Sequence, residues 1–250
     1  MVIITLLLGS ILIPLNAQVE SRNYDETQRI LDQAREALLG YAAASGRFPC
    51  PATLATNGKE ALVGSATLGV CDPTVTGTAG TNVYVGFLPA VTLGLPRIDG
   101  SGLAVDAWGL SQNRIRYAVS FETVNGKFRP FTSAGGMRAA TMSSIMGASL
   151  LNVCSAAPVP ASPTACSPVS TVLTSDAIAV IWSLGPNVAT TGGTSADEAV
   201  NAQAFTSADR VFVSKIKTGG PGDATEFDDV VTWIAPPILF NRMIAAGQLP

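Results

Sequence analysis

No histidine occurs in the 250 residues, which removes the side chain that most often serves as general base near neutral pH. Ser-His-Asp and Cys-His nucleophile systems go with it, as does His-liganded zinc. Lysine stands only at Lys59, Lys127, Lys215 and Lys217. With so few catalytic groups, no enzyme chemistry is expected and no catalytic residue is assigned. The thiols are the next reactive groups. Cys50, Cys71, Cys154 and Cys166 are even in number and lack Cys-x-x-Cys spacing, so metal ligation is weakly supported. Behind an exported segment their expected use is two disulfides. Sequential pairing, Cys50 with Cys71 and Cys154 with Cys166, is expected because each pair closes a loop rich in Gly, Pro, Ser and Thr. Trp108, Trp182 and Trp233 could line an aromatic binding surface, but each sits beside a strand pattern and is assigned to the core.

Composition narrows the partners. A formal net charge of -3 with 13% charged residues leaves no basic patch, so nucleic acid is not expected. No small-molecule substrate or cofactor is indicated either. Hydrophobic residues make up 47% of the chain, enough for a sizeable core, whereas aromatics are only 6%. Many Ala, Thr, Gly and Ser residues then suggest a loop-rich β domain built with small side chains.

The elements that must position these residues begin with an apolar run, Val2 to Leu15, with no charged residue before Glu20. It is shorter than the roughly 17 to 25 residues of a membrane-spanning helix. One reading is a secretory signal cut after Leu15-Asn16-Ala17. The favoured reading is the rear part of a membrane helix that begins upstream of Met1, because no Lys or Arg precedes the apolar run as a signal peptide requires. From Val19 to Ala44 there is no proline and no glycine before Gly40. Ile30, Leu31, Ala34, Leu38 and Tyr41 fall on one stripe of a 3.6-residue helix, with Asp32, Arg35 and Glu36 on the other side. Pro14 is expected to kink this helix, and Gly46 and Pro49 to end it. Residues 1-46 thus read as a stem and 47-250 as a head.

In the head, Val83 to Leu88, Arg114 to Phe121, Ala177 to Leu184, Arg210 to Ser214 and Asp228 to Ile234 read as strands. Asn125-Gly126 signals a hairpin leading into Lys127 to Phe131. Residues 152 to 171 read as an inserted surface loop, and Asn187 to Thr206 as a polar stretch. The tail carries a short helical pattern with Ile238, Leu239, Met243 and Ile244 on one side. The fold expected is α+β, a long N-terminal helix packed against an antiparallel β-sheet head.

Three segments carry a resemblance. The stem Ile3 to Leu15 running into Ala17-Gln18, Thr27-Gln28 and Leu31 to Tyr41 resembles the second part of a pilin N-terminal helix. Asp106-Ala107-Trp108-Gly109 resembles the Asp-Pro-Trp-Gly motif of pseudopilins, with Ala107 in place of Pro. Ser183-Leu184-Gly185, followed by Asp228-Asp229-Val230 and Trp233, resembles the Ser-Leu-Gly and Asp-Asp-Ile-x-x-Trp pattern that closes the pseudopilin head. The chain is therefore similar to the bacterial type IV pilin and type II secretion pseudopilin family. The family's basic leader, cleavage-site Gly, Phe and buried Glu are not among these residues.

The resemblance implies a filament subunit whose partners are other pilin or pseudopilin subunits, packed through the N-terminal helix. It implies an inner-membrane location with a periplasmic head before assembly, or an extracellular pilus afterwards. The size of the head suggests a minor rather than a shaft subunit. The alternative is a secreted periplasmic or surface binding module released by signal cleavage. The resemblance also implies a calcium ion held by the Ser-Leu-Gly to Asp-Asp-Ile loop, for which Asp223, Asp228, Asp229 and the Leu184 carbonyl supply hard oxygen atoms. Because the loop from Gly185 to Phe227 is much longer than a compact calcium loop, Asp228 and Asp229 are expected simply to flank a strand and cap turns. No metal is assigned.

Overall fold

The computed structural model describes residues 2-63, 71-72, 83-109, 112-124, 127-133, 137, 150-162, 164-188, 195-202, 210-220 and 223-249, with side chains from residue 18 onward except 121-130. Helix α1 runs over Val2–Ser45, 44 residues. It stops where expected: Gly46 adopts φ +70° and its amide donates to the Ala42 carbonyl at 2.8 Å, a left-handed terminus that glycine enters without steric cost. The apolar stripe is buried as its spacing requires. Thr27, Ile30, Leu31, Ala34, Leu38, Leu39 and Ala42 are sealed, Tyr41 is half-buried, and Asp32 and Glu36 face outward. The side chains of the Val2 to Leu15 run, Pro14 included, lie outside the described residues. Among the described residues no helix is long and apolar enough to cross a membrane.

Among the described residues eight strands follow: β1 Val83–Phe87, β2 Arg116–Val124, β3 Lys127–Pro130, β4 Leu151–Cys154, β5 Val172–Ala177, β6 Ala179–Ser183, β7 Val211–Val213 and β8 Val230–Ile234. One sheet has the order β1-β2-β6-β8, antiparallel throughout, with β3 folded onto the far half of β2 as the expected hairpin. Asn125 and Gly126, assigned to its turn, lie outside the described residues. Strand periodicity splits this sheet between two cores. Tyr117, Val119, Ala179, Ile181, Val230 and Ile234 pack with the stripe of α1. Ala118, Val180 and Trp182 point the other way, onto Leu151, Val153, Ala177 and Phe212 of a second sheet. The fold is α+β in three layers: helix, sheet, sheet.

The second sheet, β5-β4-β7, corrects two expectations. Its β4–β7 pairing is parallel, so the head is not antiparallel throughout. Its central strand β4 begins the segment 152 to 171 that reads as a surface loop, yet all four of its residues are buried. Four residues covered on both faces are too few to display an alternation. The apolar run Ala177 to Leu184 contains a corner: β5 ends at Ala177 in one sheet and β6 starts at Ala179 in the other. Ile178 bridges them, donating to the Ile234 carbonyl at 2.9 Å and accepting from Ser120.

Three short helices complete the described head: α2 Ala90–Leu93, α3 Ala196–Asn201 and α4 Pro236–Ala245. α3 replaces part of the polar stretch expected at Asn187 to Thr206. α4 is the tail helix, rotated from the expected face: Leu239, Phe240 and Met243 are buried, whereas Ile238 and Ile244 are exposed. At about 100° per residue Leu239, Phe240 and Met243 share one arc with Ile238 and Ile244 to either side of it, and the α1 surface covers that arc.

Both disulfides form with the expected partners. Cys50–Cys71 closes a separation of 21 residues and Cys154–Cys166 one of 12, with Cα atoms 5.4 and 5.7 Å apart. The first lies just beyond the end of α1 and the second fastens β4.

Candidate functional site

The three segments that carry the family resemblance meet in space. Asp106 is fully buried beside α1. Its Oδ1 accepts the amides of Trp108 at 3.0 Å and Gly109 at 3.4 Å, and its Oδ2 accepts the Asn113 amide nitrogen at 3.1 Å and the Ser183 hydroxyl at 2.5 Å. Burial raises the Asp106 carboxyl, opposed by these hydrogen bonds. The adjacent Ala107 amide donates to Thr27 Oγ1 of α1 at 3.1 Å. A carboxylate so fully engaged is structural, tying the Asp-Ala-Trp-Gly turn to Ser183 at the end of β6.

Two residues after Ser183, Gly185 takes φ +65°, and a Cβ built on it would stand 2.2 Å from Asp228 Oδ1. Only glycine allows that approach. Asp228 and Asp229 precede β8, and the insertion between β6 and β8 brings a third carboxylate to them. This is Glu198 in the first turn of α3, where the Ser195 hydroxyl caps the helix by accepting the Glu198 amide at 3.3 Å. The carboxylate oxygens of Glu198, Asp228 and Asp229 lie within 4.8 Å of one another, at residue exposures of 1%, 2% and 2%.

Their hydrogen bonds are unequal. Glu198 accepts the Asn187 side-chain amide at 3.1 Å and the Asp228 backbone amide at 3.1 Å. Asp229 accepts Asn201 Nδ2 at 2.8 Å, and the same Asn201 is held by both backbone groups of Val213 in β7. Asp228 Oδ1 is buried with no hydrogen-bond partner. Burial, then the charges of Glu198 and Glu226, pushes the Asp228 carboxyl up to about 7, with Lys217 opposing. Asp229 is raised well above the ordinary range, first by burial, against the Asn201 hydrogen bond and the Arg116 charge. A sealed cluster of three acids favours either protons or a cation.

The donor set fits the calcium that the resemblance implies. It is all oxygen, it contains an unpartnered buried carboxylate oxygen, and Gly185 lets the backbone lie close to that oxygen where a side chain would clash. A calcium ion held there would offset two of the three carboxylate charges and join β8 to α3. Asp228 and Asp229 flank β8 as expected and, with Glu198, form one buried acidic cluster. Asp223, the third carboxylate suggested by the sequence, is exposed and accepts the Gly220 amide at 2.8 Å within its own turn. Glu198 is the residue sequence reading missed, although Ser195-x-x-Glu198 is the spacing of a helix start.

The other candidates resolve into structure. Trp182 is buried, stacks edge-on with Phe212 at 4.9 Å and donates to the Asn201 carbonyl at 3.0 Å, and Trp233 packs half-buried on the same core. Trp108 is half-buried on the Asp106 turn. A Ser-x-x-Lys spacing that sequence reading missed, Ser214 to Lys217, lies on non-helical chain with Lys217 paired to Glu20 of α1 at 3.3 Å. Comparison of the chain with protein-family models, with curated proteins and with solved structures finds no match in any of the three.

Proposed function

We propose that this protein is a non-enzymatic filament subunit, a minor pilin or pseudopilin-like component of a type IV pilus or type II secretion filament. The observation that carries the reading is α1. A helix of 44 residues is roughly 66 Å long at about 1.5 Å per residue, about twice the hydrocarbon thickness of a bilayer. Its described head contacts lie on the C-terminal part, from Glu20 to Ala42, while Val2 to Leu15 is apolar in sequence. That layout suits a shared element: one end belongs to the head, and the other to a membrane before assembly and to neighbouring helices afterwards. The convergence of Asp106, Ser183, Gly185 and Asp228 supports the same reading, because the segments that resemble the family form one connected corner.

In this role the head faces outward from the inner membrane and its partners are other subunits, not nucleic acid or a small molecule. Fractionation of the native host tests it. The protein is expected in the inner membrane and in sheared surface filaments, and deletion of Val2 to Leu15 is expected to remove it from both. Recovery of the intact chain solely in the soluble fraction would overturn the proposal.

A further inference from the structure

We infer that Glu198, carried by α3 in the insertion between β6 and β8, is a direct ligand of a calcium ion shared with Asp228 and Asp229, so that the ion pins the insertion to the head. The inference concerns the head alone and does not rest on the filament reading. Calcium near Asp228 and Asp229 is what the family resemblance implies; a ligand delivered from a helix within a long insertion is a property of this chain.

Several independent features support it. The three carboxylates converge within 4.8 Å from two separate segments. Each residue is almost completely buried, so water cannot disperse their charge. Asp228 Oδ1 lacks any hydrogen-bond partner, which in a buried carboxylate calls for a ligand. Gly185, at positive φ, keeps a side chain from clashing with that oxygen. Glu198 is itself fixed in place, its carboxylate held by Asn187 and the Asp228 amide while Ser195 caps its helix. A set of oxygen ligands without His or Cys selects a hard cation. Calcium takes six to eight such oxygens in flexible geometry, whereas magnesium demands an octahedron and keeps several waters. A buried cluster of three carboxylates, without an octahedral frame, therefore favours calcium.

The test uses the purified full chain, titrated with calcium chloride in a calorimeter and melted in calcium or in EDTA. Wild-type protein is expected to bind one calcium ion. At a hundredfold excess over the dissociation constant its melting midpoint rises by roughly 5 to 10 °C. Glu198→Gln keeps an oxygen that can accept from Asn187 and the Asp228 amide but loses the charge; it should bind at least tenfold more weakly. Asp223→Asn should bind as wild type does. Absence of calcium binding by wild type overturns the inference, and so does an unchanged affinity in Glu198→Gln. If Glu198→Gln fails to fold, a crystal structure of wild type grown with calcium decides. An ion within about 2.3 to 2.6 Å of a Glu198 carboxylate oxygen supports the assignment, and an ion elsewhere, or none, refutes it.

Discussion

Glu60 shows how a single side chain joins stem to head. Arg47, two residues beyond α1, donates to both Glu60 carboxylate oxygens at 2.7 and 2.8 Å, and Tyr41 of α1 and the Cys50 amide donate to the same group at 3.2 Å each. Burial alone would raise the Glu60 carboxyl; the Arg47 hydrogen bonds and charge overcome it and hold the group below its ordinary value. A carboxyl lowered in the fold contributes stability above its unfolded value and loses it as pH falls through the folded value. Glu60→Gln is therefore expected to cost on the order of 3 kcal/mol near pH 7, with the difference shrinking as pH falls below about 4. Urea unfolding at pH 7 and pH 3 checks this, and an equal cost at both would refute it. At this scale the cysteine pairing was legible, because each pair brackets a loop of turn-forming residues. The carboxylate cluster was not, because Glu198 lies 30 positions before Asp228 and its helix start sits in a stretch of Thr, Gly and Ala.

Among the elements, α1 and the central strands were readable and the second sheet was not. The α1 stripe recurs with period 3.6 over successive turns, a signal no local accident imitates. β4 offers only Leu151, Asn152, Val153 and Cys154, and its identity depends on partners that arrive later in the chain, β5 and β7. What holds so short a strand in place is partly the Cys154–Cys166 disulfide, which closes 12 residues of sequence. A loop of that size restricts the unfolded chain by about 3 kcal/mol. The double variant Cys154→Ala/Cys166→Ala is expected to lose about that much in denaturant unfolding. A loss below about 0.5 kcal/mol, the scale of an ordinary surface substitution, would show that β4 needs no such fastening. The tail helix α4 shows the complementary limit: its existence was visible, but which of Ile238, Leu239, Phe240, Met243 and Ile244 turn inward was set by α1, against which it packs.

For the whole molecule, the layered head holds α1 by its described side chains. Its C-terminal part belongs to the head core, fastened by Thr27 to the Asp106 turn, by Glu20 to Lys217 and by Glu36 to Arg242 at 2.7 Å. The exposed ion pairs add little, so the buried stripe supplies most of the attachment. That one helix runs from the apolar into the amphipathic segment was legible because no helix breaker separates them after Pro14. The number of layers was not, since Trp182 and Val180 read as one buried run whichever sheet covers them. If α1 serves as the shared element of a filament, its apolar part must remain on the working protein. Mass spectrometry of the N-terminal peptide from the mature protein, isolated from its native host, tests that directly. The filament reading predicts peptides that retain Val2 to Leu15, whereas a mature chain beginning at Gln18 would contradict it and identify a secreted module.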